Sequence, residues 1–172
     1  MRAEPASREV VVTVVLIFLN GETYIDEAIR SVLDQTFTQW ELMLVDDGST
    51  DRSSGIARQY AAKSSDKIRY LEHPDHANRG MSASRNLGIR AGCGKYIALL
   101  DYDDVWHPEK LARQVLLLDQ NPEVGMVYSA TLRWFSWTGN PDDAAKDEPR
   151  PVGVSTGKIV NPPEMIPSLP AR

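Results

Sequence analysis

The chain has 172 residues, 42% hydrophobic and 25% charged, with a formal net charge of −5 and a pI near 5.2. That length and mixture suit about one soluble globular domain, and the acidity excludes the basic face that nucleic-acid binding needs. The single cysteine, Cys93, cannot form an internal disulfide, which fits a reducing, cytoplasmic setting.

The first apolar run, "VVVTVVLIFL" from Val10 to Leu19, has ten residues, and a helix across a bilayer needs about 20. The segment before it mixes acids with bases, unlike a signal peptide. A buried strand is therefore expected, rich in Val, Leu and Ile. "NGETYIDEAIRSVLDQ" follows, with Tyr24, Ile25, Ala28, Ile29, Val32 and Leu33 at helical spacing. "WELMLV", residues 40–45, is a second strand, ended by "DDGSTD". Asp51 is placed to cap a helix over "RSSGIARQYAAK", with Ile56, Ala57 and Tyr60 inward. "IRYLEH" reads as a third strand, "MSASRNLGIRAG" as a helix closed at Gly92, and "KYIALL" as a fourth strand. Pro108 suits the first turn of the next helix, "PEKLARQVLLLDQ", and "VGMVYSA", residues 124–130, reads as a fifth strand.

From Thr138 onward lie seven of the eleven prolines, and apolar periodicity fades. The expected organisation is one domain over 1–137, then loop, short strand and tail over 138–172. Strands alternating with single helices predict an α/β fold: a mainly parallel sheet with helices on both faces. Ligands of such sheets bind at the carboxyl ends of strands. Both acidic clusters, "VDDGSTD" and "LLDYDDVW", fall there.

Asp101, Asp103 and Asp104 crowd four positions after a buried strand, and like charges so close repel unless a cation or donor-rich ligand lies between them. Carboxylates on one rim are hard oxygen ligands suited to Mg²⁺ or Mn²⁺ with phosphate oxygens. A single aspartate there would read as a helix cap; three do not. In "VDDGSTD" a capped turn accounts for Asp51, while a carboxylate at Asp46 or Asp47 can accept from a base N–H or a ribose hydroxyl. Arg79 and Arg85 carry the planar fork that suits a diphosphate, with Arg79 the better candidate for a surface ion pair. His73 and His76 lie beside a proline with no cysteine near, a weak metal signal. Trp40 and Trp106 read as packing residues.

Two stretches, "VVTVVLIFLNGETYIDEAIRSVLDQTFTQWELMLVDDGSTD" and "RGMSASRNLGIRAGCGKYIALLDYDDVWHPEKL", resemble the nucleotide-sugar-binding half of the family 2 glycosyltransferases. The motifs that carry this are S-x-L-x-Q-T, V-D-D-G-S-T-D and D-x-D-D-x-W-x-P, in that order, within roughly residues 9 to 130. The resemblance implies the GT-A fold and a nucleotide-diphosphate sugar, UDP-sugars favoured, bound through Mn²⁺ or Mg²⁺. It also implies inverting transfer to an acceptor hydroxyl on a glycan, a lipid-linked sugar or another molecule. By motif, Asp47 would read the nucleobase, Asp103 would face ribose and cation, and Asp104 would ligate the metal. Asp101 would open the acidic motif, Arg85 would lie near the diphosphate, and Asn20 would lie by the nucleotide at the end of the first strand. Ile17, Phe18 and Leu19 replace the residues the family usually has before that asparagine, so a side-chain bond to the base is lost. Nothing after Asp147 and Glu148 matches the family's general base, so the expectation is a donor-binding fragment that lacks it.

A rival reading is a Mg²⁺-dependent phosphoacceptor receiver domain using Asp46, Asp47 and Asp101, with Ser129 and Ala130 after the fifth strand and Lys146 or Lys158 as its lysine. A phosphatase using Asp101 as nucleophile and Asp103 as acid is a third, but it lacks the Gly-Thr that should follow.

Overall fold

The computed structural model describes residues 9–150 and 159–160. The chain divides into two compact units, residues 1–115 and 116–172.

The first unit is built on β1 (Val12–Phe18), which is buried along its whole length. It pairs in parallel with β2 (Trp40–Asp46) on one side and β4 (Tyr96–Asp101) on the other, and β3 (Ile68–Glu72) extends the sheet beyond β2. The order β3-β2-β1-β4 makes β1 and β2 the central pair. A strand with neighbours on both edges and cover on both faces gains from being apolar throughout, hence "VTVVLIF" without alternation.

Alternate residues of β1 serve opposite faces. Val12, Val14, Leu16 and Phe18 join a core with Ile25, Ala28, Ile29 and Val32 of α1 (Ile25–Leu33), Ala57 of α2 (Ser53–Lys63), and Leu111 and Val115 of α4 (Lys110–Gln120). Val15 and Ile17, with Met43 and Val45, meet Leu87, Ile89 and Ala91 of α3 (Met81–Ala91) on the other side. Helices thus cover both faces of a parallel sheet. Each fully buried Val, Leu or Ile contributes about 1.5–3 kcal/mol. At Gly88 of α3 a Cβ would collide with Val15, which is why glycine stands there.

At the amino edge of the sheet Glu41 is buried and accepts from Thr13 Oγ1 at 2.7 Å and from the Cys93 amide at 2.6 Å. The Gly94 amide donates to Thr13 at 2.9 Å. Polar groups at this edge are spent on holding the turn between α3 and β4. Polar groups at the carboxyl edge do something else.

Two expectations change. Pro108 lies in the turn ahead of α4 instead of in its first turn, and the Thr36 amide donates to its carbonyl at 2.9 Å. The segment 124–130 is not a strand; Met126 and Tyr128 are 62% and 41% exposed. A strand's hydrogen bonds come from a neighbouring strand, and no described strand pairs with these residues.

In the second unit β5 (Thr131–Arg133) pairs antiparallel with β6 (Glu148–Arg150), with the short α5 (Pro141–Ala144) between them in sequence. Asp147 ties this hairpin: its carboxylate accepts from the Phe135 and Ser136 amides at 2.7 and 2.9 Å and from Ser136 Oγ at 2.7 Å. The expected tail beyond Arg150 lies outside the described residues, 159–160 apart. Among the described residues no helix is long and apolar enough to cross a membrane.

Candidate functional site

Parallel pairing brings the ends of β1, β2 and β4 to one rim. Phe18 is in register with Asp46, and Ile17 with Asp101, so the two acidic segments leave the sheet on either side of the β1 terminus.

The turn after β2 is held from within. Asp46 is fully buried; it accepts from the Ser49 amide at 2.8 Å, from the Tyr70 hydroxyl at 2.9 Å and from the Ser54 hydroxyl. Burial pushes its carboxyl group up, but the hydrogen bonds from Ser54, Ser49 and Tyr70 outweigh this and hold it below the usual range. Asp47 points the other way. Its carboxylate accepts from the Arg79 amide at 2.8 Å, the Gly80 amide at 3.0 Å and Ser84 Oγ at 2.9 Å. The second aspartate of the pair therefore fastens the end of β2 to the start of α3. His73 Nε2 stands 2.9 Å from the same Ser84 hydroxyl.

Asn20 has a left-handed φ of 53° and accepts the Thr50 amide at 2.8 Å, while its own amide donates to Ser49 Oγ at 3.0 Å. Glu22 and Asp51 extend this seam. The Glu22 amide donates to Asp51 at 2.9 Å, and Arg52 Nε to the Glu22 carboxylate at 3.1 Å. Asp51 also accepts the Ser53 amide at 2.9 Å, but it is not the cap expected: the N-cap of α2 is Arg52, which makes no side-chain capping bond.

Across β1, Asp101 accepts twice from Arg85 Nη2, at 2.7 and 3.1 Å. The chain turns at once, with the Asp104 amide donating to the Asp101 carbonyl at 3.1 Å. Burial and the nearby charges of Asp103 and Asp101 push the Asp104 carboxyl above its ordinary value, and Lys110 only partly opposes them. Lys110 is itself pushed down by burial, and its ammonium lies 5.0 Å from the Trp106 ring centroid.

Neighbouring elements fix this acidic loop. Tyr102 lies so close to Gly21 that a Cβ there would come within 2.5 Å of its ring. Gln35, two residues past the end of α1, donates to the His107 carbonyl at 2.9 Å and accepts the Leu111 amide at 3.0 Å. The S-x-L-x-Q-T motif thus becomes a clamp on the chain between the acidic loop and α4.

Beside the β2 turn, Asp46, Glu72 and His76 each bring a ligand atom within 4.8 Å of the others. These groups already have protein partners. His76 Nε2 donates to the Ser49 carbonyl at 2.7 Å, and Nδ1 faces Glu72 at 3.0 Å. The Tyr70 hydroxyl stands between Glu72, at 2.7 Å, and Asp46, at 2.9 Å. Arg58 donates to Glu72 at 2.9 Å. Sequence reasoning missed Tyr70, Glu72 and Ser84, because residues on different elements meet here with no shared spacing. The histidines were visible as residues but not as locks on the β2 turn.

The receiver reading finds no support. Its Ser129 and Ala130 follow no strand, its Asp101 is engaged by Arg85, and Lys158 lies outside the described residues.

Comparison with known proteins agrees with this geometry. A family model described as "Glycosyl transferase family 2" matches residues 13–152. An uncharacterized glycosyltransferase of Nostoc sp. is 38% identical over 117 residues, covering 68% of this chain and 35% of that protein. The putative glycosyltransferase EpsE of Bacillus subtilis is 37% identical over 121 residues, 70% of this chain and 43% of its own length. The chain thus spans less than half of these relatives. Among solved structures, S. aureus TarS 1-349 in complex with UDP-GlcNAc is 25% identical with a TM-score of 0.59, covering 65% of this chain and 32% of that one. The mannosyltransferase PcManGT of Pyrobaculum calidifontis, in complex with GDP-Man and Mn²⁺, is 25% identical with a TM-score of 0.61, covering 71% of this chain and 34% of that one. The parallel sheet is that of the GT-A glycosyltransferases, and the chain belongs to glycosyl transferase family 2.

Proposed function

We propose that this chain binds a nucleotide-diphosphate sugar, with UDP-sugars favoured, through a divalent cation at Asp103 and Asp104. It forms the donor side of an enzyme that transfers the sugar to an acceptor hydroxyl with inversion. The carrying observation is the only partly compensated acidity at the end of β4: Arg85 pairs with Asp101, but Asp104 is raised by burial and by Asp103 and Asp101 against the opposing charge of Lys110. A carboxylate made costly by its neighbours' charge fits a site for a hard cation, and carboxylate oxygens suit Mn²⁺ or Mg²⁺. A cation held there would stabilise the charge that develops on the leaving nucleotide.

The other groups take supporting roles. Arg85 and Asp101 line the diphosphate side. Asn20 and Asp47 line the nucleotide side: Asp47 Oδ2 accepts one described hydrogen bond, from Gly80, and a carboxylate oxygen has capacity for a further donor. Support comes from TarS, solved with UDP and with UDP-GlcNAc, and from PcManGT, solved with GDP-Man and Mn²⁺. The putative teichuronic acid biosynthesis glycosyltransferase TuaG of Bacillus subtilis, 39% identical over 106 residues, points to a glycan or lipid-linked hydroxyl acceptor.

Calorimetric titration of UDP into the chain, with Mn²⁺ and then with EDTA, tests this. Binding should strengthen roughly tenfold or more with Mn²⁺, in the usual range of coupling between ligands, and Asp104→Asn should remove most of that gain. Equal UDP affinity in the two buffers would refute metal-bridged binding.

A further inference from the structure

The two oxygens of Asp47 have unequal surroundings. Oδ1 accepts from the Arg79 amide at 2.8 Å, from the Gly80 amide at 3.1 Å and from Ser84 Oγ at 2.9 Å. Among the described residues Oδ2 has only a share of the Gly80 amide, at 3.0 Å. Ser84 lies in the first turns of α3, with its own amide on the Gly80 carbonyl at 3.1 Å. Helix side chains lean toward the helix N-terminus, which is where Asp47 is held. Ser84 is fully buried, and His73 and Asp47 have side-chain exposures of 11% and 8%. His73 Nε2 stands 2.9 Å from Ser84 Oγ.

The direction of these bonds follows from the hydrogens available. A serine hydroxyl has one proton, and a carboxylate can only accept. The Ser84 proton therefore goes to Asp47, and the proton between His73 and Ser84 belongs to Nε2. The ring carries that proton whether it is neutral or charged.

We propose that His73 and Ser84 are positioning residues for the donor nucleotide. His73 Nε2–H donates to Ser84 Oγ, Ser84 Oγ–H donates to Asp47 Oδ1, and the carboxylate is held with Oδ2 as the single acceptor presented to the base. Without His73, the hydroxyl is free to turn to the Gly80 carbonyl one helical turn back. Without Ser84, the carboxylate keeps only the Arg79 and Gly80 amides, and Gly80 is shared between both oxygens. A lone acceptor selects a base with a ring N–H at its edge, such as uracil. It rejects cytosine, whose corresponding ring nitrogen is itself an acceptor. Neither His73 nor Ser84 touches the nucleotide in this scheme; both act through Asp47. The inference rests on Asp47 lining the nucleotide side, as proposed above.

The test is UDP and CDP binding to the 172-residue chain, measured by calorimetry with Mn²⁺ present throughout and read as the ratio of the two affinities. The wild type should prefer UDP by about tenfold to a hundredfold, the scale of a hydrogen bond to a charged group. Ser84→Ala should lower that ratio several-fold, by weakening UDP while CDP changes little. His73→Leu should lower it too, whereas His73→Gln, which keeps a donor near the Nε2 position, should stay near the wild type. Because His73 acts only through Ser84, adding His73→Leu to Ser84→Ala should lower the ratio no further. A ratio unmoved by Ser84→Ala, a His73→Gln variant as impaired as His73→Leu, or two losses that simply add overturns the proposal. Nitrogen NMR of the wild-type imidazoles should find His73 protonated at Nε2, and a neutral ring protonated only at Nδ1 overturns the relay without any variant. Thermal unfolding checks that each variant folds; if Ser84→Ala does not, the two His73 variants and the NMR assignment decide. A wild type with no preference for UDP, matched by an Asp47→Asn variant that binds UDP as tightly, fails at the earlier step and removes Asp47 from the nucleotide site, so the two failures are distinguishable.

Discussion

Gly48 shows how tightly single residues define the nucleotide side. Its φ is +88°, and a Cβ would come within 2.8 Å of both the His76 carbonyl oxygen and the Asn78 amide nitrogen. The turn after β2 is therefore pressed against the 76–78 loop, and His76 is what holds that loop. With Nε2 donating to the Ser49 carbonyl, a neutral ring would turn the Nδ1 lone pair toward the Glu72 carboxylate, whereas the imidazolium satisfies both acceptors. These contacts, the Ser49 carbonyl first and Glu72 next, raise the His76 pKa above its ordinary 6.5. Asp46 adds attraction, while Arg58 and Tyr70 share the Glu72 oxygen. A folded-state pKa above the unfolded one gives stability that is complete below the unfolded value and is lost as pH rises through the folded value. Thermal unfolding midpoints should therefore fall across that window above about pH 6.5. His76→Asn tolerates the left-handed φ of 52° and removes the titrating ring, so its midpoints should change less there. A variant that keeps the full wild-type slope would assign the slope to other groups.

At the scale of elements, all four strands of the parallel sheet were legible, most plainly β1 and β2, which are buried along their length and apolar except for Thr13, Glu41 and Asp46. The segment 124–130 has similar composition and forms no strand, since the missing ingredient is a partner strand, which lies outside any local pattern. The S-x-L-x-Q-T motif was visible as a pattern, but its work is long-range. Gln35 reaches 72 and 76 residues along the chain to the His107 carbonyl and the Leu111 amide. Gln35→Ala would strip a buried amide of its acceptor and a carbonyl of its donor, at a cost of about 1–3 kcal/mol. Amide exchange in residues 103–111 should quicken in this variant and UDP affinity should fall, while exchange in β2 changes little. Unchanged exchange in 103–111 would mean that the acidic loop is held by Tyr102 and Trp106 packing instead. The aspartates of the site could be read from the sequence because clustered charge after an apolar run stands out, although β4 is not the buried strand expected: Ile97 and Leu99 are 42% and 48% exposed. The partners of these aspartates could not, because Arg85, Tyr70 and Glu72 reach them from other elements.

At the scale of the whole molecule, donor binding and transfer make different demands. Transfer to a hydroxyl needs a base within hydrogen-bond reach of it, and positioned proton transfer contributes about 10²–10⁴-fold. Holding the acceptor in line with the reacting carbon is a comparable or larger contribution. Two acidic residues farther along the chain, Asp147 and Glu148, are already committed. Asp147 is held below its usual range by hydrogen bonds from Ser136 and Phe135, and Glu148 accepts Arg150 at 3.0 Å. The curated relatives devote more than half of their length to segments this chain does not match. The 172-residue chain should therefore bind UDP with Mn²⁺ yet transfer sugar at least about a hundredfold more slowly than a full-length relative under the same conditions. Radiolabelled donor turnover, read beside calorimetric UDP binding, checks both halves. Turnover by this chain at the relative's rate, abolished by Glu148→Gln with UDP binding intact, would place the base in the β6 strand and end this separation of donor binding from transfer.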